Sequence, residues 1–269
     1  TSPFGDAYLL RAARAALDAL PAAHGPVLLA LSLSSNDGIG HVFGPDSFEA
    51  WDELYRLDAA LAGLFADLDR RFGADRWAAL LSADHGAPHL PEACTHAGVD
   101  RWDRPCARDG RRLMSDLPPP APPGATASPS SVELFDLLQS TAARLPGGRR
   151  DHVRLFASSF AFFSDEARRE PVRSALVRAL LALSIPGVRR LYDVRALPSE
   201  CPPLSDESEA ALVCRAVAPG SAAGDLFLVP EPGSFIDAGY VRGCGVTHAS
   251  PYLYDRAVPL FVRAPGRAV

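Results

Sequence analysis

Apolar residues recur every three to four positions over residues 6–20, where Leu9, Leu10, Ala13, Ala16, Leu17 and Leu20 share one helical face. The same period over residues 46–72, carried by Leu54, Leu57, Leu61, Leu64 and Leu68, predicts a longer helix. Asp46, with Glu49 three residues on, reads as its capping box, and Gly73 falls where a left-handed cap is easiest. Short apolar runs at 28–33 (LLALSL) and 77–81 (WAALL) read as buried strands. Residues 91–131 are irregular, and 117–124 (LPPPAPPG) can continue neither a helix nor a central strand, so they read as a stiff connection. Beyond residue 131 helices and strands alternate. Helices are predicted over 132–145, 165–183 (with Pro171 near its start) and 207–217, and strands over 153–156, 188–194, 226–229 and 258–262. This order defines an α/β protein.

Two of the apolar runs lead into chemistry. The first is followed by Asp37 and His41, the second by Asp84 and His85, and a third short stretch, Gly245-Val246-Thr247-His248, adds another imidazole. In open α/β sheets ligands gather at the carboxyl ends of strands. Carboxylate and imidazole are the donors a zinc-type dication selects. Taken singly, an Asp after a strand is often a helix cap and a lone His an ordinary surface residue. Two strand-end pairs and a third His together point to a metal site. The spacing does not name the metal: Asp37, His41 and His248 equally suit a two-His, one-carboxylate iron centre.

At these residues the chain resembles a family. Ser34 to Ser47 (SSNDGIGHVFGPDS) resembles the DxxGHxFGPxS segment of the alkaline phosphatase superfamily, in its type I phosphodiesterase and PafA-like alkaline phosphatase branch. Leu81 to Gly86 (LSADHG) resembles that family's ADHG, and Thr247 to Leu260 (THASPYLYDRAVPL) its THGSPYxYDxxVP. Order and spacing match, while 94–221 match weakly.

The resemblance implies an alkaline-phosphatase-like three-layer α/β sandwich with a small inserted α/β subdomain. The divisions expected are a metal-binding core over 1–116, the Pro-rich connection over 117–130, the inserted subdomain over 131–230 and a return to the core over 231–269. It implies two Zn2+ ions, one held by Asp37, His41 and His248, the other in part by Asp84 and His85, with at most one complete site in this chain. It implies a phosphate-ester hydrolase working through a phospho-enzyme. In the family a Thr or Ser nucleophile and a further metal-binding Asp lie in an N-terminal half that Thr1-Ser2-Pro3-Phe4-Gly5, similar to a mid-family TPFG, follows. That half is expected to be missing here, leaving a C-terminal fragment that is inactive alone and exposes strand edges and apolar surface. Ala249 stands where the family has Gly, and Ser221-Ala222-Ala223-Gly224-Asp225 where it has RSGD.

Three alternatives stay open. One is a phosphodiesterase, nucleotide pyrophosphatase, sulfatase or phosphomutase of the same superfamily. Another is a non-catalytic metal-binding remnant. The third is an iron-dependent oxygenase on Asp37, His41 and His248, which leaves Asp84 and His85 unexplained.

Composition narrows the partners. Hydrophobic residues make up 48%, which excludes a disordered chain. The formal charge of −5, with every one of the 27 cations an Arg, leaves no basic footprint for nucleic acid. No apolar run reaches the ~20 residues of a membrane helix. The expected partners are a phosphate-ester substrate and the N-terminal half. The family's frequent export implies a periplasmic or secreted setting. There Cys94–Cys106 and Cys201–Cys214 are candidate local disulfides, with Cys244 left over, against the alternative of five thiols. The charged, aromatic stretch 101–104 and the Gly-rich 239–245 read as surface loop and as a close approach to the site, and His89 and His96 match no ligand position.

Overall fold

The computed structural model describes residues 2–20, 25–90, 112–113, 131–157, 159–217, 223–232, 235–236 and 246–265. Cys94, Cys106, Cys244, His96, the 101–104 stretch, the Pro-rich 117–124 and the Gly-rich 239–245 lie outside them. In chain order the elements are α1 (Pro3–Asp18), α2 (Ser35–Phe43), α3 (Phe48–Phe72), β1 (Ala79–Ser82), β2 (Arg112–Leu113) and α4 (Ser131–Ala143). Then follow β3 (Val153–Ala157), β4 (Phe160–Phe163), α5 (Val172–Leu181), β5 (Val188–Asp193), α6 (Glu209–Ala216), β6 (Leu226–Pro230), β7 (Phe235–Ile236), α7 (Leu253–Arg256) and β8 (Leu260–Arg263). Two compact units result: Thr1–Gly86 with Ala257–Val269, and Ala87–Arg256.

In the first unit, α1 begins at Pro3 rather than at Asp6. Pro3 loses no hydrogen bond at the first helical position, and the Ser2 hydroxyl accepts from the Phe4 N–H. The face buried is Asp6, Leu10, Ala13 and Leu17, so the helical period extends back to an acid. Ser47, not Asp46, caps α3: its Oγ accepts from Ala50 N at 3.1 Å. A Ser47→Ala variant should lose about 1 kcal/mol of stability, read as a lower urea midpoint at unchanged slope. Gly73 ends the helix as expected, but at φ 90° and ψ 141°, a positive-φ conformation open to glycine and outside the left-handed helical region. The apolar stripe of α3 is only partly core. Leu64 is buried, but Leu54 is exposed.

Segment 28–33 is not a strand. Pairing defines a strand, and no described residue pairs with this one; Leu28 is 94% exposed. The run at 77–81 does become β1, two residues late, antiparallel to β8 with Leu80 opposite Val262. The guanidinium of Arg263 stacks over Trp77 at 3.6 Å from the ring centroid and binds Asp69 at 3.0 Å, while Trp77 Nε1 donates to the same carboxylate. This cluster ties the β1–β8 pair to the last turns of α3. Apolar side chains of the pair, Leu80, Leu260 and Phe261, are exposed, as are Phe48, Trp51 and Tyr55 of α3.

The second unit is a four-stranded antiparallel sheet in the order β3-β4-β6-β5. β6 is buried along its whole length, and its alternation divides the core. Leu226 and Leu228 join Leu134 and Leu138 of α4, Phe163 of β4, and Leu176 and Leu180 of α5. Phe227 and Val229 join Val213 of α6 with Val194 and Val217. The predicted strands over 153–156, 188–194 and 226–229 all form, and so do the helices, with α5 starting only after Pro171. The strand β4 and the short parallel pairing of β2 with β7 were not foreseen. Just before β6, position 224 needs a glycine because a Cβ there would stand 2.8 Å from Ala161 O. The predicted Cys201–Cys214 disulfide is present. Among the described residues no helix is long and apolar enough to cross a membrane.

Candidate metal centre

Asp37 and His41 were expected on a loop at a strand end. They sit instead on α2, four residues apart and therefore on one face. Gly38 and Gly40 weaken helix propensity, which concealed the helix. The signal for it was the Asp-to-His spacing of four. Its ends are fixed from outside. Ser35 N donates to Asp6 Oδ1 at 3.3 Å, and Ser35 Oγ donates to Ser2 O at 2.8 Å. At the other end Gly44, φ 87°, donates to Gly40 O at 2.8 Å. Asp37 in the first turn suits the helix dipole.

The loop after β1 brings the second pair to the first. Asp37 Oδ1 lies 3.4 Å from His41 Nε2 and 3.6 Å from His85 Nε2, and His85 Nε2 lies 3.7 Å from Asp84 Oδ1. The His41 side chain is nearly enclosed, whereas Asp84 is exposed. His85 Nδ1 stands 2.9 Å from Gly86 O. A carbonyl only accepts, so Nδ1 carries the hydrogen and, in the neutral ring, Nε2 presents a lone pair. That lone pair faces two carboxylate oxygens at distances beyond a good hydrogen bond. Acceptors gathered on acceptors call for a cation. On a tetrahedral ion with bonds of about 2.0–2.1 Å, neighbouring ligand atoms stand about 3.4 Å apart, the spacing of Asp37 Oδ1 and His41 Nε2. The donor set, all oxygen and nitrogen with no thiolate, suits zinc.

His248 belongs to the second unit, in the stretch 246–250 that precedes α7. Val246 and Thr247 before it are buried. After it, Asp255 accepts from Ser250 N at 2.8 Å and Ser250 Oγ at 2.6 Å, and Tyr252 N donates to Ser250 Oγ. Tyr252 OH donates to Pro230 O at 2.7 Å, and burial holds this phenol far above its ordinary ionisation range. Ala249 has φ 98°, a conformation glycine adopts freely and alanine does not. An Ala249→Gly variant should therefore gain about 1 kcal/mol, seen as a rise in thermal midpoint.

Three supports of these ligands escaped the sequence reading: Asp6, Ser35 and Asp255. Asp6 had a signal, since it occupies the apolar face with Leu10, Ala13 and Leu17. Glu53 has the same one, being buried on the stripe of Ala50 and Leu64.

With the fold and the donor cluster in view, comparison with known proteins gives the family. Residues 4–250 match the family described as type I phosphodiesterase / nucleotide pyrophosphatase. The chain belongs to that family, within the alkaline phosphatase superfamily. Alkaline phosphatase PafA of Elizabethkingia meningoseptica is 42% identical over 91 residues, 33% of this chain and 17% of that protein. Alkaline phosphatase PhoK of Sphingomonas sp is 28% identical over 274 residues, 96% of this chain and 43% of that protein. The crystal structure of wild-type alkaline phosphatase PafA superposes with a TM-score of 0.71 at 22% identity, over 99% of this chain and 45% of that one. The α/β fold is thus the alkaline phosphatase fold. The chain spans less than half the length of the relatives it matches.

Proposed function

We propose that the protein hydrolyses phosphate esters at a centre of two zinc ions. The observation that carries this reading is the carboxylate of Asp37 set between the imidazoles of His41 and His85, with Nε2 of both rings 3.4 and 3.6 Å from its Oδ1. Asp37, His41 and His248 would hold one ion, and Asp84 and His85 would contribute to the other. Two adjacent dications polarise a phosphoryl oxygen, activate a nucleophile and stabilise the leaving oxygen of an in-line displacement. The chain's own part is orientation. The Nδ1–H of His85 is engaged by Gly86 O, which keeps Nε2 on the ligand side. The rigid α2 keeps Asp37 and His41 in register, and the Ser250–Asp255 hydrogen bonds shape the turn after His248.

The reading assigns a Thr or Ser nucleophile to the protein but to no residue of this chain, and on it the isolated chain turns over no ester. The exposed Leu80, Leu260, Phe261, Phe48 and Trp51 support a further stretch of the protein's own polypeptide covering the first unit, since a two-stranded sheet alone is marginal in water. The Cys201–Cys214 disulfide supports a periplasmic or secreted location. A second reading, diester or nucleotide pyrophosphate cleavage, is favoured by the family's description. The test is turnover of a phosphate monoester and a phosphate diester by the full-length protein before and after chelation. Faster monoester hydrolysis, lost on chelation and restored by zinc, is expected. Faster diester hydrolysis selects the second reading, and activity indifferent to chelation sinks both.

A further inference from the structure

Asp6 of α1 and Glu53 of α3 are buried together, at 5% and 1% exposure. Asp6 Oδ1 accepts from Ser35 N, the first residue of α2. Asp6 Oδ2 and Glu53 Oε2 are both enclosed and, taken as carboxylates, both without a donor among the described residues. Two buried carboxylates side by side repel, and each orphaned oxygen carries the full penalty of lost hydration. A single hydrogen between them removes the repulsion and satisfies both oxygens at once. Burial first, and then the charge and hydrogen bonding of Asp6, hold the Glu53 carboxyl above its ordinary range. Asp52 pushes in the same direction, while Arg56, which is engaged with Asp52 at 2.6 Å, opposes it.

We propose that Asp6 and Glu53 share one proton and act as a pair of positioning residues for the metal centre, fixing the first turn of α2 and so the aim of Asp37 and His41. The pair touches neither metal nor substrate. It acts through the Ser35 N–H: the proton fixes the Asp6 carboxyl, the carboxyl fixes the helix start, and the helix carries the ligands. The inference rests on the zinc reading for its consequence and on the geometry of α1, α2 and α3 for its cause.

The test uses the full-length protein with Asp6→Ala, Asp6→Asn and Glu53→Gln. Zinc affinity is read by competition with a chelator at a temperature where every variant is folded. Asp6→Ala should weaken zinc about 10–100-fold, the range for partners that orient metal ligands. Asp6→Asn and Glu53→Gln should stay within about threefold of the parent, because either amide supplies the missing donor to the remaining carboxylate. A merely structural role would lower the thermal midpoint and leave the affinity of the folded protein unchanged. That result overturns the proposal, as does an amide variant as weak as Asp6→Ala.

Should Asp6→Ala fail to fold, infrared spectroscopy of the metal-free parent at neutral pH decides. A carboxylic-acid carbonyl band that Glu53→Gln abolishes supports the shared proton, and its absence refutes it. The pH dependence has a defined sign. An acid whose ionisation is raised in the folded state contributes stability in full below the ordinary glutamate range and loses it as pH rises through the raised value. Glu53→Gln should remove that loss. A protein that binds no zinc at all would defeat the functional reading, while the infrared band would still report on the pair.

Discussion

On the proposed two-zinc reading, His41→Ala in the full-length protein is expected to lower phosphate-ester turnover by about a thousandfold or more and to remove one zinc ion. His41 lies with its side chain almost enclosed, Nε2 aimed at Asp37 Oδ1 across 3.4 Å. Alanine removes a neutral nitrogen donor from the centre and leaves the carboxylate without that neighbour. A metal ion contributes several kcal/mol of transition-state charge stabilisation, and each 1.36 kcal/mol is tenfold in rate, which sets the magnitude. The loss should appear in kcat as well as kcat/KM, because the charge stabilised develops during displacement rather than on binding. A control separates this from general damage. His152, still more enclosed but in the second unit and far in sequence from the metal motifs, should on conversion to Gln leave the zinc content as it was. Two tightly bound zinc ions and ordinary turnover in His41→Ala would remove His41 from the ligand set and with it the proposed centre.

The donor cluster was more legible in the sequence than some of the elements that carry it. Chemistry-bearing residues stand out because Asp and His at fixed spacing have few reasons to recur, so Asp37 and His41 stand out even though neither the predicted strand at 28–33 nor a loop carries them. The long periodic helices were readable too, since burying one face writes a 3.6-residue repeat into α1 and α3. What escaped is relational. Residues 28–33 have the composition of a strand but no described ladder partner, and a strand is made by its partner. Helix α2 looks like a loop from Gly38 and Gly40. It is held by Asp6 and Ser2, which lie about thirty positions earlier in the chain. The phenylalanine-rich β4 hides in a short run that only its register with β3 and β6 identifies. Tertiary contacts decided each of these against local preference.

The largest effect on stability is expected in the second unit, at Asp193. Its carboxylate lies at the end of β5 and grips Arg173 of α5 with two hydrogen bonds, one of them 3.1 Å long. Both side chains are largely enclosed, at 9% and 13% exposure, and Arg173 Nε has no hydrogen-bond partner among the described residues. Arg173 lies beside Leu176 and Val177 on the buried side of α5, packed against the sheet, so the guanidinium cannot simply turn to water. Asp193→Ala leaves that cation buried and uncompensated, a situation that costs about 3–5 kcal/mol. Arg195 N also loses its acceptor, but it is exposed and water replaces the carboxylate there. In urea the midpoint should fall with the slope preserved, since the native surface is otherwise unchanged. The double variant Arg173→Met with Asp193→Leu tests whether charge rather than volume is at stake. Apolar replacement of both partners removes the buried cation, so the double variant should recover most of what the single one loses. If the double variant is as unstable as Asp193→Ala, the loss comes from packing at the end of β5 and not from a stranded charge. If Asp193→Ala itself costs under about 1 kcal/mol, Arg173 reaches solvent more readily than its burial implies, and the pair contributes no more than an exposed one.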